Sequence, residues 1–282
     1  MKLLSAAAVR RCLIADDGMS MFSADFDQIE MRVAAAFAGE TVMIEAAKRG
    51  ESLHKTAALQ LWGPGYTPDQ YRYTKNVNFG WLFGGGAYTL SRQAGIPIDL
   101  ARSIIKQYEN TFTALTAYKR REQEQIIRMA LSPRQYTVLK SLRSRMFDVR
   151  SDTPEGKALR FGYKLQIDRL CYGKLGWVTT PSGRRLPVDA GKAYRVVNYK
   201  VQSTSRDILA EALLDVMDDP ELEPTVLLPV HDELLGQGPT AEAEYLARRY
   251  GEVMTREFMG VPITASGKVY GRSWGHGYLA KV

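Results

Sequence analysis

One helix of this chain is marked at both ends by its own sequence, and it constrains the fold more than any other stretch. Thr67 fits an N-cap, Pro68 stands at the first helical position and Gln70 completes a capping box. A run of three glycines from Gly84 closes the stretch Tyr71 to Gly86, YRYTKNVNFGWLFGGG. The sequence therefore predicts a helix that begins at Pro68 and stops at the glycines.

One face of this predicted helix carries a cation and two rings. Lys75, Phe79 and Phe83 are spaced at i, i+4 and i+8, so they align along the helix. An ammonium group beside two rings can hold an anionic, aromatic ligand such as a nucleotide. The same pattern is typical of an amphipathic core helix whose lysine extends to solvent. These residues alone leave both interpretations open.

Two apolar strand signals each meet an aspartate. Met19 to Ala24 runs into Asp25, and Thr225 to Gly236 indicates a strand pair bent around Asp232. If these strands are neighbours in one sheet, the two carboxylates can bind a pair of magnesium ions about 3.5–4 Å apart. An aspartate at a strand end is also a common turn former or helix cap, so that alternative stays open. Pro229 lacks a backbone donor and is expected at a sheet edge or a bulge.

The remaining segments give weaker signals. Gly176 to Val188 predicts a β-hairpin, and Ala193 to Met217 predicts a long helix. A last helix is expected from Ala241 to Met259, followed by a strand from Val261 to Val269. The basic segment from Ala130 to Lys174 has no regular period. It is interpreted either as a nucleic-acid contact or as a solvated basic insertion.

Composition bounds the class of protein. The 282 residues include 38 Lys and Arg against 31 Asp and Glu, a net charge of +7 that suits a polyanionic partner. Cys12 and Cys171 have no CxxC spacing, which argues against a disulfide framework and favours a reducing cytosol. Arg10 and Arg11 interrupt the apolar N-terminal run, so we expect no signal peptide. No apolar run reaches the roughly 20 residues of a membrane span, so no membrane partner is expected.

Four motifs stand in the order found in one enzyme family. SADFDQIEMRVAAAFAGE resembles the first aspartate motif of family A DNA polymerases, the bacterial polymerase I class that also includes phage replicases. KNVNFGWLFGG resembles their fingers helix, NYKVQSTSRDILAEALL resembles the helix between the aspartate motifs, and LLPVHDELLG resembles their second aspartate motif. The chain is therefore similar to the C-terminal palm and fingers part of that family.

The resemblance implies an α+β fold, in which a mostly helical fingers subdomain is inserted between strands of an antiparallel palm sheet. Residues 1–39 and 176–282 would form the palm, and residues 40–129 the fingers. Residues 130–175 would be a basic insertion of uncertain placement. Family members carry a thumb before the first aspartate motif, whereas this sequence has no recognisable thumb.

The resemblance also implies roles for individual residues. Asp25 and Asp232, with the backbone carbonyl of Phe26, would bind two Mg²⁺ ions, and Lys75 would bind the triphosphate and protonate the leaving group. Nucleotide contacts are implied for a group in the first third of the chain: Gln28, Glu30, His54, Arg72, Lys75, Phe79 and Phe83. Contacts with primer-template DNA are implied for a second group: Arg195, Asn198, Gln202, His231 and Glu233.

Some of these residues also fit ordinary structural roles. The alternatives are a surface position for His54, apolar packing for Phe79, an exposed helix position for Glu30, helix capping for Asn198 and Gln202, and a tight turn for His231 and Glu233.

Three positions depart from the family pattern. Tyr71 and Tyr194 stand where arginines are expected, and Arg72 and Arg195 follow one position later. Because i and i+3 share a helix face almost as well as i and i+4, Arg72 can still reach the triphosphate, and whether Arg72 and Arg195 replace the family arginines stays open. Phe83 replaces a tyrosine, so sugar discrimination is expected to be looser or differently built.

The implied reaction is template-directed transfer of deoxynucleotides from their triphosphates to a primer 3′ end, in the cytoplasm of a bacterial or phage-infected cell. A second polypeptide is expected to supply the thumb and an exonuclease, as in a phage-type split polymerase. Two alternatives stay open. The chain could be a non-catalytic DNA- or nucleotide-binding remnant that acts as a scaffold or regulator, or a fragment whose upstream half was cut away.

Overall fold

The computed structural model describes residues 6–150 and 152–276, and the chain groups into two compact units. Among the described residues, the first unit comprises residues 6–36, 41–53 and 204–276, and the second comprises residues 37–40, 54–150 and 152–203. Antiparallel sheets accompany many helices, so the predicted α+β class is confirmed. The assignment of segments to palm, fingers and insertion stays a prediction.

The elements follow one another in chain order. The helices are α1 (Ala6–Arg11), α2 (Ile29–Ala38), α3 (Thr41–Lys48), α4 (Leu53–Trp62), α5 (Pro68–Leu82), α6 (Ala87–Ala94), α7 (Ile98–Thr111), α8 (Thr113–Ala130), α9 (Pro133–Asp148), α10 (Pro154–Cys171), α11 (Val196–Met217) and α12 (Ala243–Met254). The strands are β1 (Met19–Phe26), β2 (Leu175–Thr179), β3 (Arg185–Asp189), β4 (Val226–Val230), β5 (Glu233–Pro239), β6 (Arg256–Phe258), β7 (Val261–Ile263) and β8 (Ala265–Gly271). A 3-10 helix spans Ala190–Arg195, and another spans Glu223–Thr225.

The first unit is built on a sheet with the strand order β4-β5-β1-β8, in which all neighbours are antiparallel. Helix α12 packs on one face of this sheet, where the ring of Phe22 meets Tyr250 edge-on at 5.0 Å. Gly267 permits this close packing, because a Cβ atom there would lie 2.2 Å from the carbonyl oxygen of Ala247. Strand β4 lies at the sheet edge, so the prediction for Pro229 is confirmed.

The alternation of β1 decides which side chains face away from α12. Phe22 and Ala24 belong to the helix-covered face, whereas Met21, Ser23 and Asp25 belong to the other. Met21 is buried in a cluster with Leu235, Tyr270 and Trp274. Asp25, at the end of the same row, is exposed.

Two sequence predictions near the C-terminus are wrong in extent. The helix expected from Ala241 to Met259 covers only α12, because the backbone becomes extended at Thr255 and continues into β6. Met259 and Gly260, with φ values of +50° and +77°, form the turn that joins β6 to β7. Such a two-residue turn matches the twist of an antiparallel pair. The strand expected from Val261 to Val269 is divided at Thr264, whose backbone carbonyl accepts from Asp27 instead of continuing the strand.

In the second unit the predicted start of α5 is confirmed in detail. The Thr67 hydroxyl accepts from the backbone N–H of Gln70 at 3.2 Å, and the Gln70 side chain accepts from the backbone N–H of Thr67 at 2.7 Å. The helix ends at Leu82, before the glycines. The predicted hairpin of Gly176 to Val188 is also confirmed as β2 paired with β3.

The segment that gave no regular period forms the helices α9 and α10. Ser132 caps α9 with Pro133 at the first helical position, and Gln135 completes a capping box. Thr153 caps α10. Only Leu139 and Leu142 of α9 are buried, so few apolar positions mark the helical period in this sequence.

The structure adds two facts about the class of protein. Cys12 is an exposed free thiol, and Cys171 is a buried one. Within residues 6–150 and 152–276, no helix combines the length and apolarity that crossing a membrane requires.

Candidate active site

The two aspartate strands are neighbours in the sheet of the first unit. Asp25, near the end of β1, pairs with Glu233 at the start of β5, and the backbone N–H of Phe26 donates to the carbonyl of Asp232 at 3.1 Å. The carboxyl groups of Asp25 and Asp232 are close enough to share a hydrogen bond when one is protonated. Residues more than two hundred positions apart in sequence therefore form one carboxylate pair.

Their proximity changes the acidity of Asp25. Desolvation by the surrounding atoms, followed by the charges of Asp232 and Glu233, raises the pKa of Asp25 to about 7. Part of Asp25 is exposed to solvent, and the repulsion from the neighbouring carboxylates adds to the desolvation of its carboxyl group. A divalent cation would remove this repulsion, and hard oxygen donors are what Mg²⁺ prefers.

The donor set fits such a cation without further side chains. Among the described residues, no group of three or more His, Cys, Asp or Glu side chains has the geometry of a metal site. Metal binding by the two carboxylates and the backbone carbonyl of Phe26 stays a prediction of the family resemblance. Mg²⁺ usually keeps several waters and binds through one or two carboxylates plus substrate phosphates, which this set permits.

Asp27 has a different role from Asp25, which the sequence did not reveal. Its carboxylate accepts hydrogen bonds from the hydroxyls of Thr264 at 3.0 Å and Ser266 at 3.0 Å, and its backbone carbonyl accepts from Arg32 at 2.7 Å. Asp27 thereby ties the end of β1 to the start of β8. The contacts with Thr264 and Ser266 join residues more than two hundred positions apart, so no local pattern predicts them.

Backbone strain lies beside both aspartate motifs. Gln28 and His231 adopt positive φ values of +54° and +61°, a region that residues other than glycine rarely occupy. His231 forms a 2.7 Å hydrogen bond with the carboxylate of Asp232, and this bond is the main reason that the pKa of His231 is raised. The Gln28 amide donates to the hydroxyl of Ser52 at 3.3 Å.

Two glutamates near the pair are buried. Glu233 is 7% exposed and accepts a hydrogen bond from the Tyr270 hydroxyl at 2.8 Å, and the same hydroxyl lies 2.9 Å from Ser23. Glu30 is 8% exposed, so the alternative of an exposed helix carboxylate is wrong. The implied DNA contact of Glu233 stays a prediction.

In the second unit, α5 turns its Lys-Phe face away from the core. Val77 and Trp81 are buried on the opposite side, whereas Lys75 is exposed and Phe79 and Phe83 are half-buried, with ring centroids 6.4 Å apart. The core-helix interpretation therefore applies to the other face. The face that the sequence proposed for a nucleotide is open to a ligand.

His54 lies beside this face and is not a surface residue. It is 5% exposed, its ring centroid lies 5.0 Å from that of Phe79, and the Asn78 amide donates to its Nδ1 atom at 2.8 Å. Burial, and secondly the charge of Lys75, lower the pKa of His54 to about 4. His54 is therefore neutral at pH 7, with its proton on Nε2.

Arg72 and Arg195, which follow the tyrosines at the two family arginine positions, make different contacts. Arg72 forms an exposed ion pair with Asp69 one turn earlier, at 2.9 Å. Arg195, at the end of the 3-10 helix, lies with its guanidinium 5.7 Å from the ring of Tyr194. Neither geometry tests whether these arginines bind substrate.

The implied DNA-contacting residues at the start of α11 lie near the end of α5. Phe83, Arg195 and Asn198 line one open cavity of about 500 Å³ together with Gly84 and Tyr194. Gln202 follows one turn along α11 and is exposed. This cavity belongs wholly to the second unit.

Gly84 should not tolerate a side chain at this cavity. Its φ is +92°, and a Cβ atom would lie 2.4 Å from Cδ2 of Tyr194 and 2.9 Å from the Tyr194 carbonyl oxygen. We expect Gly84→Ala to destabilise the protein by about 2–4 kcal/mol in urea unfolding. Gly86→Ala is the matched control, because a Cβ there meets nothing within 4 Å and its φ is −103°. Equal unfolding midpoints for the two variants would contradict this expectation.

Comparison with known proteins is consistent with this geometry. The family profile described as "DNA polymerase family A" matches residues 2–160, more than half of the chain. The DNA polymerases of Mycobacterium phages D29 and L5 are 33% and 30% identical over 274 and 272 residues, 96% of this chain in each case. The thermostable DNA polymerase I of Thermus aquaticus is 28% identical over 262 residues, 90% of this chain.

A solved structure gives the same fold. The POL domain of Pol1 from M. smegmatis, in complex with DNA primer-template and dNTP, aligns with a TM-score of 0.69 at 23% identity, covering 98% of this chain and 44% of that one.

The fold is shared with that POL domain, and the family profile and the phage relatives specify the family. The chain belongs to DNA polymerase family A. It covers 37% of each phage relative and 27% of the Thermus enzyme, so it spans about a quarter to somewhat more than a third of their length.

Proposed function

We propose that this chain carries the catalytic part of a DNA-directed DNA polymerase, which transfers deoxynucleotides to a primer 3′ end with two Mg²⁺ ions. The observation that carries the proposal is the pairing of β1 with β5, which sets Asp25 beside Asp232. Membership of the family and the likeness to polymerases from phages and bacteria support it.

The metal site would use Asp25, Asp232 and the Phe26 carbonyl. When bound there, Mg²⁺ supplies activation of the primer hydroxyl and stabilisation of charge on the leaving pyrophosphate. The protein's own part is to hold two carboxylates at one strand end. The hydrogen bonds of Asp27 to the start of β8 would keep that end fixed.

The nucleotide would bind on the open face of α5. Lys75 would pair with the triphosphate and donate a proton to the leaving group, and Phe79 would stack on the base and sugar. His54, neutral and protonated on Nε2, would donate a hydrogen bond to a phosphate oxygen without adding charge. Glu30 would occupy the space that a ribose 2′-hydroxyl needs. Phe83 lacks the hydroxyl group of the tyrosine that the family has at this position.

Primer-template DNA would lie against the start of α11. The side-chain amides of Asn198 and Gln202 would donate hydrogen bonds in the minor groove, where every base pair presents similar acceptors. Arg195 would bind a phosphate, and His231 would contact the primer end. The solved relative that resembles this chain was captured with primer-template and dNTP, which supports these partners.

An additional stretch of polypeptide, in the cytoplasm of the same cell, would complete the enzyme. The longer relatives carry sequence that this chain does not match, and a thumb or exonuclease could come from the remainder of a longer chain or from a second one. A palm and fingers without such a part would grip duplex DNA weakly, because phosphate contacts supply most sequence-independent affinity.

The test is Mg²⁺-dependent primer extension, with and without a candidate thumb polypeptide, combined with Mn²⁺ binding as a readout that needs no DNA. We expect template-dependent extension and metal binding, and loss of both in Asp232→Ala. The matched control is Asp17→Asn, whose side chain is 97% exposed. Unchanged extension or unchanged Mn²⁺ binding in Asp232→Ala would refute the proposal.

A second candidate function is a non-catalytic DNA- or nucleotide-binding scaffold. The ion pair of Arg72 with Asp69 favours it, because the guanidinium is already occupied at the position next to the missing family arginine. This candidate predicts dNTP binding that Asp25→Asn does not change, and no turnover. Labelled-dNTP titration beside the extension assay separates the two functions.

A further inference from the structure

The segment of residues 131–174, which contains α9 and α10 and is called the basic hairpin below, carries most of the chain's net charge. It holds ten Lys or Arg against four Asp or Glu, a balance of +6 within a chain of +7. The rest of the chain is therefore almost neutral. A positive charge concentrated in one element indicates a polyanionic partner for that element.

The cations of the basic hairpin face solvent. Arg145 on α9 and Lys157, Lys164 and Arg169 on α10 are exposed, and in the described part of the chain none of the four belongs to an ion pair. Arg143 is the contrasting case, because it pairs with Glu124 of α8 at 3.2 Å. The basic hairpin therefore uses one arginine at its base and leaves several cations for another molecule.

Apolar side chains are interleaved with these cations. Phe161 is 59% exposed and stands four residues after Lys157 and three before Lys164, so the three share one side of α10. Leu165, 42% exposed, continues that side. Cations alternating with a ring match a strand of nucleic acid, because cations contact phosphates and rings stack on bases.

The base of the hairpin is anchored next to the start of α11. The Tyr136 hydroxyl donates to Glu124 of α8, and α10 contacts the 3-10 helix that ends at Arg195. A cavity of about 420 Å³ is lined by residues of α8, α9, α10 and the 3-10 helix, including Arg143 and Ala193. DNA held by Arg195 and Asn198 would thus lie close to the basic hairpin.

We propose that the basic hairpin is a DNA-binding element, whose exposed cations contact the phosphate backbone beyond the residues that hold the primer end. The proposal rests on the proposed function only in taking DNA as the partner. Duplex and single-stranded template share the phosphate chemistry. Phe161 distinguishes them, because stacking on a ring requires unpaired bases.

The experiment measures DNA affinity of the full chain by fluorescence anisotropy at several salt concentrations, with a duplex and with a single strand. The test variant is R145Q/K157Q/K164Q/R169Q. The control variant removes the same charge at exposed, ion-paired sites outside the basic hairpin: K48Q/R49Q/R102Q/R248Q. Extension at saturating DNA is measured separately, so an inactive polymerase and a hairpin that does not bind DNA give different results.

We expect the hairpin variant to bind DNA at least about tenfold more weakly, while the affinity of the control variant changes little. The slope of log affinity against log salt concentration should be flatter by roughly 2–3 for the hairpin variant. If the basic hairpin contacts single-stranded template, Phe161→Ala should weaken single-strand binding by roughly fivefold or more. If it contacts the duplex, Phe161→Ala should change neither the single-strand affinity nor the duplex affinity. If the hairpin and control variants have equal slopes of log affinity against log salt concentration, the proposal is wrong, even if the basic hairpin binds a protein. The milder variant K157Q/K164Q, with a slope flatter by about 1–2, serves if the quadruple variant fails to fold.

Discussion

Replacing Asp25 by asparagine should abolish extension and, in metal-free buffer, make the protein more stable. The loss of rate is expected to exceed about 10³-fold, because a carboxylate that holds the metal cannot be replaced by a neutral amide. The gain in stability comes from charge. The pKa of Asp25 is about 7 in the folded state and 3.8 in the reference state, so the folded protein binds more protons between these values.

The sign of the pH dependence follows from that difference. The contribution of Asp25 to wild-type stability falls as pH rises from 3.8 to 7, because ionisation of Asp25 is disfavoured only in the folded state. Asp25→Asn lacks this loss and should be more stable at pH 8 by about 1 kcal/mol, a figure reduced from the full shift because Asp25 is exposed to solvent screening. Near pH 3.5 the two proteins should have equal stability.

Urea unfolding in EDTA at pH 3.5, 5 and 8, beside the extension assay, checks both effects. Asp17→Asn removes a fully exposed carboxylate near the other end of β1 and should change neither. Extension within tenfold of wild type would exclude a metal-holding role for Asp25. If the unfolding free energies of Asp25→Asn and wild type had the same pH dependence, Asp232 and Glu233 would not raise the pKa of Asp25.

Local signals in the sequence predicted the elements whose boundaries depend on neighbouring residues. Thr67, Pro68 and Gln70 define the start of α5, and the structure has the predicted capping box. The same capping box recurs at Ser132, in a segment whose apolar pattern predicts no helix. The reason is physical, since an α9 with few buried positions shows no apolar period, and its cap is then the main remaining signal.

Parts of the site depend on contacts between distant residues, and these could not be predicted. The strain at Gln28 and His231 and the hydrogen bonds of Asp27 arise only when β1, β5 and β8 assemble. The motifs gave the identity of Asp25 and Asp232, but not the difference between Asp25 and Asp27. That difference follows from partners: Asp27 has hydroxyl donors, whereas Asp25 faces other carboxylates.

Lys75→Ala should produce the second large loss, about 10²–10³-fold in extension rate with a raised KM for the dNTP. The ammonium is exposed on the open face of α5, so its interaction with a triphosphate would be made mainly as charge develops on the leaving group. Arg72→Ala should cost less than about fivefold, because Arg72 is already paired with Asp69 at 2.9 Å and an exposed pair contributes little. Lys48→Ala, on α3, is the control.

An additional readout does not depend on activity. The charge of Lys75 contributes to lowering the pKa of His54 to about 4, so removing it should raise that pKa, though not to the ordinary value, because burial is the larger cause. NMR titration of the His54 ring measures this shift. Steady-state kinetics of the three variants then decides which cation binds the triphosphate. If Arg72→Ala loses as much rate as Lys75→Ala, the Arg72–Asp69 pair must open when the nucleotide binds, and Arg72 replaces the arginine that Tyr71 displaced.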